Sequence, residues 1–228
     1  MGENLKLKKI HRFIISCDGG AASGKTTGAK LIAKKYNLKF LSSGKLYRYA
    51  GYLLLKNKPK NKVNFLKKKF ANLNLSKLRN INLHSQKVSE YTSEIAKNNK
   101  IRTILKNFQI KFSKKYRKCI IEGRDISTKI LPTSDVKFYF KCNLDIAARR
   151  RYLELKKKKY KITFTEVKKS LKMRDSSDKK RKHSPLLKHI DALEIDTGKL
   201  GISAMVNKMS RAVNGEIKHK YGSRTKSR

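Results

Sequence analysis

Long hydrophobic runs are missing from this chain. No apolar stretch approaches the roughly 18 residues of a membrane-spanning helix. The opening MGENLKLKKIHR holds no apolar segment long enough for a secretory signal. Cysteine is scarce, with only Cys17, Cys119 and Cys142 present. They are widely spaced and two fall in expected strands, which argues against a disulfide or zinc framework and for reduced thiols in the cytoplasm. The histidines, His11, His84, His183, His189 and His219, lack metal-ligand spacing. There is no internal repeat and no N-K-x-D base-reading motif of the GTPase kind. Acidic residues are few: 16 Asp and Glu against 59 Lys and Arg leave a net charge of +43. Such a balance suits polyanionic substrates and predicts non-specific attraction to nucleic acid. Lys and Asn are abundant in nearly every segment, however, which reads as compositional bias on solvated faces and not as a dedicated nucleic-acid surface.

What the chain does have is a phosphate-binding loop in its proper setting. Arg12 to Cys17 is a short β-branched run, read as a buried strand. Gly19, Gly20, Ala21, Ala22, Ser23, Gly24, Lys25 and Thr26 then fit G-x-x-x-x-G-K-[ST], followed by Thr27. Ala29, Leu31, Ile32 and Tyr36 recur at helical spacing. The glycines let the backbone turn tightly and bring its N–H groups against phosphate oxygens. The following helix points its positive end at the same anion. Lys25 is placed to reach the β- and γ-phosphates of ATP, and the Thr26 hydroxyl to bind Mg²⁺.

With 228 residues the chain suits one domain of ordinary size. Residues 1–9 read as a basic extension and 214–228 as a basic, disordered tail. Strands are expected at Leu38–Leu41, Cys119–Ile121, Val136–Lys141 and Leu193–Ile195. Helices are expected over Lys45–Leu55, after Asn143, from the capping-box pattern Thr163-x-x-Glu166 to about Lys179, and over Ile202–Val213. The segment 56–87 is rich in Lys and Asn, with apolar residues enough for a helix or two. The alternation predicts an α/β fold: a P-loop NTPase-type parallel sheet of about five strands with helices on both faces. Ligands of such sheets bind beyond the carboxyl ends of the strands. The phosphate loop, Ser42-Ser43-Gly44 and Glu122-Gly123-Arg124-Asp125 all fall at such ends. Arg174, Asp178 and Arg181, spaced i, i+4 and i+7, share one helix face. In a chain dominated by lysine, arginine at strand ends carries the information, because its planar fork matches phosphate.

These stretches resemble the cytidylate kinase family of nucleoside monophosphate kinases. The likeness is carried by DGGAASGKTT, LSSGKLYR, IEGRDISTKILP, DIAARRRYLEL, MRDSSDKKR and HIDALEIDTGKLGI, which span most of residues 12–202. It implies a kinase domain over 10–213, an NMP-binding insert at about 56–95 and a lid at about 152–185. It implies transfer of a phosphoryl group from MgATP to CMP or dCMP by a monomer. Residue by residue, Arg48 and Arg124 would hold the CMP phosphate, with Ser43 in the same binding set. Ser93, Arg102 and Asp125 would read the cytosine, helped by Arg181. Arg174 and Asp178 would contact the ribose. Arg149, Arg150 and Arg151 would flank the lid and serve catalysis with Lys25 and Arg124; successive helical residues diverge by about 100°, so at most two of the three can face one phosphate. The chain departs from the family pattern at Ser42, usually acidic, at Glu122, often Asp, and at Ser177, often Arg; its 56–87 segment is short. Two alternatives remain open: a kinase for another small acceptor such as UMP, AMP or a sugar acid, and an RNA-associated NTPase.

Overall fold

The computed structural model describes residues 10–78, 81–83, 85–157 and 159–221, so the expected extension at 1–9 lies outside the described residues. The chain forms two compact units, one of residues up to Leu41 and from Tyr116 onward, the other Ser42–Lys115.

The first unit is built on strands β1 (Phe13–Gly19), β2 (Lys39–Ser42), β3 (Lys118–Gly123), β4 (Val136–Lys141) and β5 (Leu193–Asp196). Their order is β2-β3-β1-β4-β5 and the sheet is all parallel, as the alternating pattern predicts. In the centre, Ile15 of β1 lies opposite Ile120 of β3 and Val136 of β4. Every residue of β1 is buried, the mark of a parallel strand covered on both faces. Phe13, Ile15 and Cys17 point to one face and join a core with Ala29 and Ile32 of helix α1 (Lys25–Lys35) and Met205, Met209 and Val213 of the last helix. Ser16 and Asp18 point to the other. There Ser16 Oγ lies 2.8 Å from Ser134 Oγ, and Asp18 bonds the chain at Ile126 and Ser127.

The second unit is helical: α2 (Ser43–Asn57), α3 (Lys62–Ala71), α4 (Gln86–Ile95) and α5 (Asn99–Lys115), with a 3₁₀ turn at Leu75–Leu78. Its compact bounds are wider than the insert expected at 56–95. The Lys- and Asn-rich segment holds a full helix because Asn61 caps α3 and Phe70 packs 6.0 Å from Tyr49 and edge-on, at 5.8 Å, to Phe108. Leu46, Leu66, Ile101 and Leu105 close the core of this unit. The Ser42-Ser43-Gly44 turn is also resolved differently. The Ser42 hydroxyl accepts from Lys45 N at 3.3 Å, so Ser42 is the cap and α2 begins at Ser43.

The first unit continues with α6 (Leu144–Lys157) and α7 (Phe164–Lys180), which pack on each other. Asn143 Oδ1 accepts from Asp145 N at 2.8 Å, and Thr163 with Glu166 forms the full capping box. Ala147, Ala148, Leu155, Val167 and Leu171 share a buried cluster with Ala21 of the phosphate loop.

The last helix, α8 (Ile202–Tyr221), runs past the expected boundary at Val213 and corrects the expected disorder for residues 214–221. Composition hides its anchors: Ile217 is buried in the sheet's core, and Lys220 Nζ lies 2.8 Å from the buried carboxylate of Asp135 and 3.0 Å from Glu216. Residues 222–228 lie outside the described residues. No described helix is long and apolar enough to cross a membrane. All three cysteines are free; Cys17 and Cys119 are buried and Cys142 is partly so.

Candidate active site

The site begins where β1 ends. Ala22 (φ 54) and Gly24 (φ 76) both take left-handed backbone, which turns neighbouring amides into one concavity. Gly24 is where this hand requires glycine, since its Thr197 neighbour would crowd a β-carbon at 3.2 Å as well. Lys25 opens α1, and its Nζ donates to Gly20 O at 2.9 Å across the loop. It also lies 4.0 Å from the nearly buried Glu122 carboxylate, so the longer acid at this position still meets the lysine. Burial brings the Lys25 ammonium down to about 8, the nearby Arg124 charge adds to this, and Glu122 opposes it. Ser23 Oγ is buried with no partner among the described residues. Thr26 is half-buried and Thr27 exposed.

Arg124, just past β3, joins the phosphate loop to two acids of α7. Its Nη1 donates to Gly19 O at 2.9 Å and to Asp175 Oδ1 at 3.1 Å. Its Nε lies 3.1 Å from Asp178 Oδ2, and Asp178 Oδ1 accepts from Arg181 Nη1 at 3.1 Å. Arg181 Nε also donates to Ser184 O. Of the expected trio Arg174, Asp178 and Arg181, the last two are therefore hydrogen-bonded to each other, and Asp178 is also ion-paired with Arg124. Arg174, on the same helix, is close enough for its charge to bear on Lys25.

Asp125, almost fully buried, leads into a single π-helical turn, Ile126–Ile130, whose Lys129 and Ile130 amides return to Asp125 O. That turn is fixed by Asp18. Its carboxylate accepts from Ile126 N (2.8 Å), Ser127 N (2.7 Å) and Ser127 Oγ (2.6 Å). Burial raises the Asp18 carboxyl to about 6 against these three donors.

The three consecutive arginines of α6 separate. Arg150 donates to Thr197 Oγ1 at 3.0 Å and Thr197 O at 2.8 Å, and Thr197 Oγ1 donates in turn to Ser23 O at 3.0 Å. Arg150 thus buttresses the phosphate loop through Thr197. Arg151 pairs with Glu154 at 2.7 Å. Arg149 is exposed and makes no hydrogen bond or ion pair among the described residues.

In the helical unit, Arg48 Nη1 donates to Ser89 Oγ at 2.6 Å and Leu83 O at 3.2 Å. Arg102 is buried, donates to Ala96 O at 3.2 Å and stacks 5.6 Å over Tyr47. Ser43 is buried, whereas Ser93 is exposed and its hydroxyl donates to Ser89 O at 3.2 Å.

Spacing arguments pass over three residues that the structure brings in. Asp18 had a signal, an acid inside an apolar strand. Asp175 had one too, lying three positions before Asp178 and so on the same helical face. Thr197 had none, because its role depends on β5 lying beside β4.

A family model described as Cytidylate kinase matches residues 15–215. The chain is 37% identical to a cytidylate kinase of Fusobacterium nucleatum over 219 residues, 90% of this chain and 98% of that one. It is 39% identical to a cytidylate kinase of Bartonella tribocorum over 198 residues, 84% and 90% of the two chains. Among solved structures, a shikimate kinase from Bacteroides thetaiotaomicron superposes with a TM-score of 0.50 at 14% identity, over 89% of this chain and 98% of that one; this likeness concerns the fold alone.

Proposed function

This chain belongs to the cytidylate kinase family, and from that premise we infer that it transfers the terminal phosphoryl group of ATP to CMP, giving CDP and ADP. The observation that carries the reading is Arg124: a guanidinium hydrogen-bonded to the first residue of the phosphate loop, on the rim where two phosphates would have to meet. The acceptor is a phosphate oxygen already ionised at neutral pH, so no protein base is required. The residues act by position and charge: loop amides and Lys25 on the donor, Arg124 and Arg48 on the acceptor phosphate, Arg174 and Asp178 on the ribose. Asp125, with Ser93, accepts from the cytosine amino group and repels the carbonyl that uracil carries there. Arg102, Arg181 and Ser43 complete the acceptor set, and dCMP is the second acceptor. Of the lid arginines, Arg149 is the one with an uncommitted guanidinium to offer a phosphate.

Among the described residues no group of three or more His, Cys, Asp or Glu could hold a metal alone. The donors present are hard oxygens, the Thr26 hydroxyl and the Glu122 carboxylate near Lys25, which fits Mg²⁺ arriving mainly on the nucleotide's own phosphates. When bound, it would supply charge neutralisation between the β- and γ-phosphates. We take the enzyme to act as a cytoplasmic monomer, with non-specific polyanion binding following from its +43 charge.

A coupled ADP-release assay with CMP, dCMP, UMP and AMP tests this reading. CMP and dCMP are expected to turn over well ahead of UMP and AMP, and RNA is expected not to stimulate ATP turnover. Binding of ATP without conversion of any pyrimidine monophosphate would overturn it. Asp125→Ala is expected to narrow the preference for CMP over UMP by about 5- to 150-fold, the worth of roughly 1–3 kcal/mol for one buried polar partner. An unchanged ratio would remove Asp125 from base recognition.

A further inference from the structure

Asp175 sits on α7 and has no part in the reading above. Its Oδ1 accepts from Ala21 N, inside the phosphate loop, at 2.8 Å, and from Arg124 Nη1 at 3.1 Å. Its Oδ2 lies 2.7 Å from the point where a β-carbon on Gly20 would stand, so the carboxylate is seated on the loop itself and only glycine at 20 admits it. A main-chain amide of this loop and an arginine fork are the donors that a phosphate oxygen would take. The carboxylate thus has the charge, the oxygen geometry and the partners of the ligand for which the site is built.

We propose that Asp175 is an internal stand-in for a phosphate oxygen. It occupies the Ala21 amide and Arg124 in the nucleotide-free enzyme, and it is displaced when a phosphoryl group arrives. The inference rests on the kinase reading for the identity of the displacing anion. Two anionic oxygens cannot share one amide and one guanidinium without strong repulsion, so filling the site expels Asp175. Because Asp175 follows Arg174 on α7, its expulsion moves the helix that carries Arg174, Asp178 and the start of the Arg181 turn. Donor binding is thereby coupled to the position of the acceptor residues on that helix.

Displacement costs apparent affinity in proportion to the seated fraction. If nine molecules in ten hold Asp175 on the loop, its removal tightens ATP binding about 10-fold. The test is calorimetric titration of the full chain with Mg²⁺ and a non-hydrolysable ATP analogue, for the parent protein, Asp175→Asn and Asp175→Ala. Both variants are expected to bind the analogue about 10-fold more tightly. The Ala21 amide resonance of Asp175→Ala is expected to depart from its parent position, since the carboxylate that accepts from it is gone. Unchanged, weaker or absent binding in both variants overturns the proposal, because a merely structural residue gives one of those results when removed. Tighter binding by variants of a protein that fails the CMP assay would sustain this proposal and reject the acceptor assignment, so the two failures are distinguishable.

Discussion

Lys25→Ala is expected to lower kcat for CMP phosphorylation by about 10³-fold, the scale of losing one preorganised charge-stabilising donor, or about 4 kcal/mol. Lys25 Nζ hangs over the loop on Gly20 O, with the Glu122 carboxylate 4.0 Å away as a counter-charge. The stem is fixed, and the ammonium is held where phosphate charge would build. Alanine keeps α1 and the loop amides, so nucleotide affinity should suffer less than turnover. The same burial gives a pH signature. The free-enzyme lysine, brought down to about 8, loses its proton above that pH, and kcat/KM for ATP should fall with a slope of one proton. Kcat at saturating ATP should hold to higher pH, because bound phosphates restore the charge. The stability contribution has the opposite sign. Between about 8 and the unfolded value of 10.5 the unfolded chain binds more protons at this residue, so this group alone makes the fold more stable as pH rises. Near-parental kcat in Lys25→Ala, or no break in kcat/KM near pH 8, would count against this placement.

Arg124→Lys should cost about 10²-fold in kcat/KM for CMP although it keeps the charge. Arg124 uses its fork in three directions, to Gly19 O, Asp175 and Asp178, with a side chain only 13% exposed. A lysine ammonium offers three donors from one point and cannot span those partners. Asp178, also largely buried, would among the described residues be left with Arg181 as its ion-pair partner, and breaking one partner of such a pair is destabilising out of proportion to the bond lost. Arg124→Ala should therefore be worse than Arg124→Lys in both activity and thermal midpoint. Activity of Arg124→Lys within threefold of the parent would mean that charge alone matters here and that the planar recognition of phosphate is wrong.

The sheet and the phosphate loop were legible because strand, glycines and helix follow one another within 25 residues, where local rules apply. The π-helical turn after Asp125 was not, since it depends on Asp18 reaching across from β1 to Ile126 and Ser127. Spacing on α7 selected Arg174, Asp178 and Arg181 but passed over Asp175, because only its meeting with Ala21 distinguishes it from any other acid on a helix. For the three arginines of α6, helical geometry said that they must diverge; which one is committed to Thr197 depended on β5. In the Lys- and Asn-rich segment the obstacle was composition. Leu66 and Phe70 are a small apolar face by themselves and become a core only against α5. The final helix failed for a related reason: its hold on Asp135 joins residues 85 apart in sequence.

That hold matters to anyone who trims the chain. Asp135 also receives the Ile14 amide at 2.6 Å and so supports the first strand of the sheet. A protein cut back to Val213 would shed Ile217 and Lys220 together, opening a gap in the sheet's core and leaving Asp135, among the described residues, with Arg12 at 4.0 Å as counter-charge. The lysine-studded terminus works as a brace under the strand that feeds the phosphate loop.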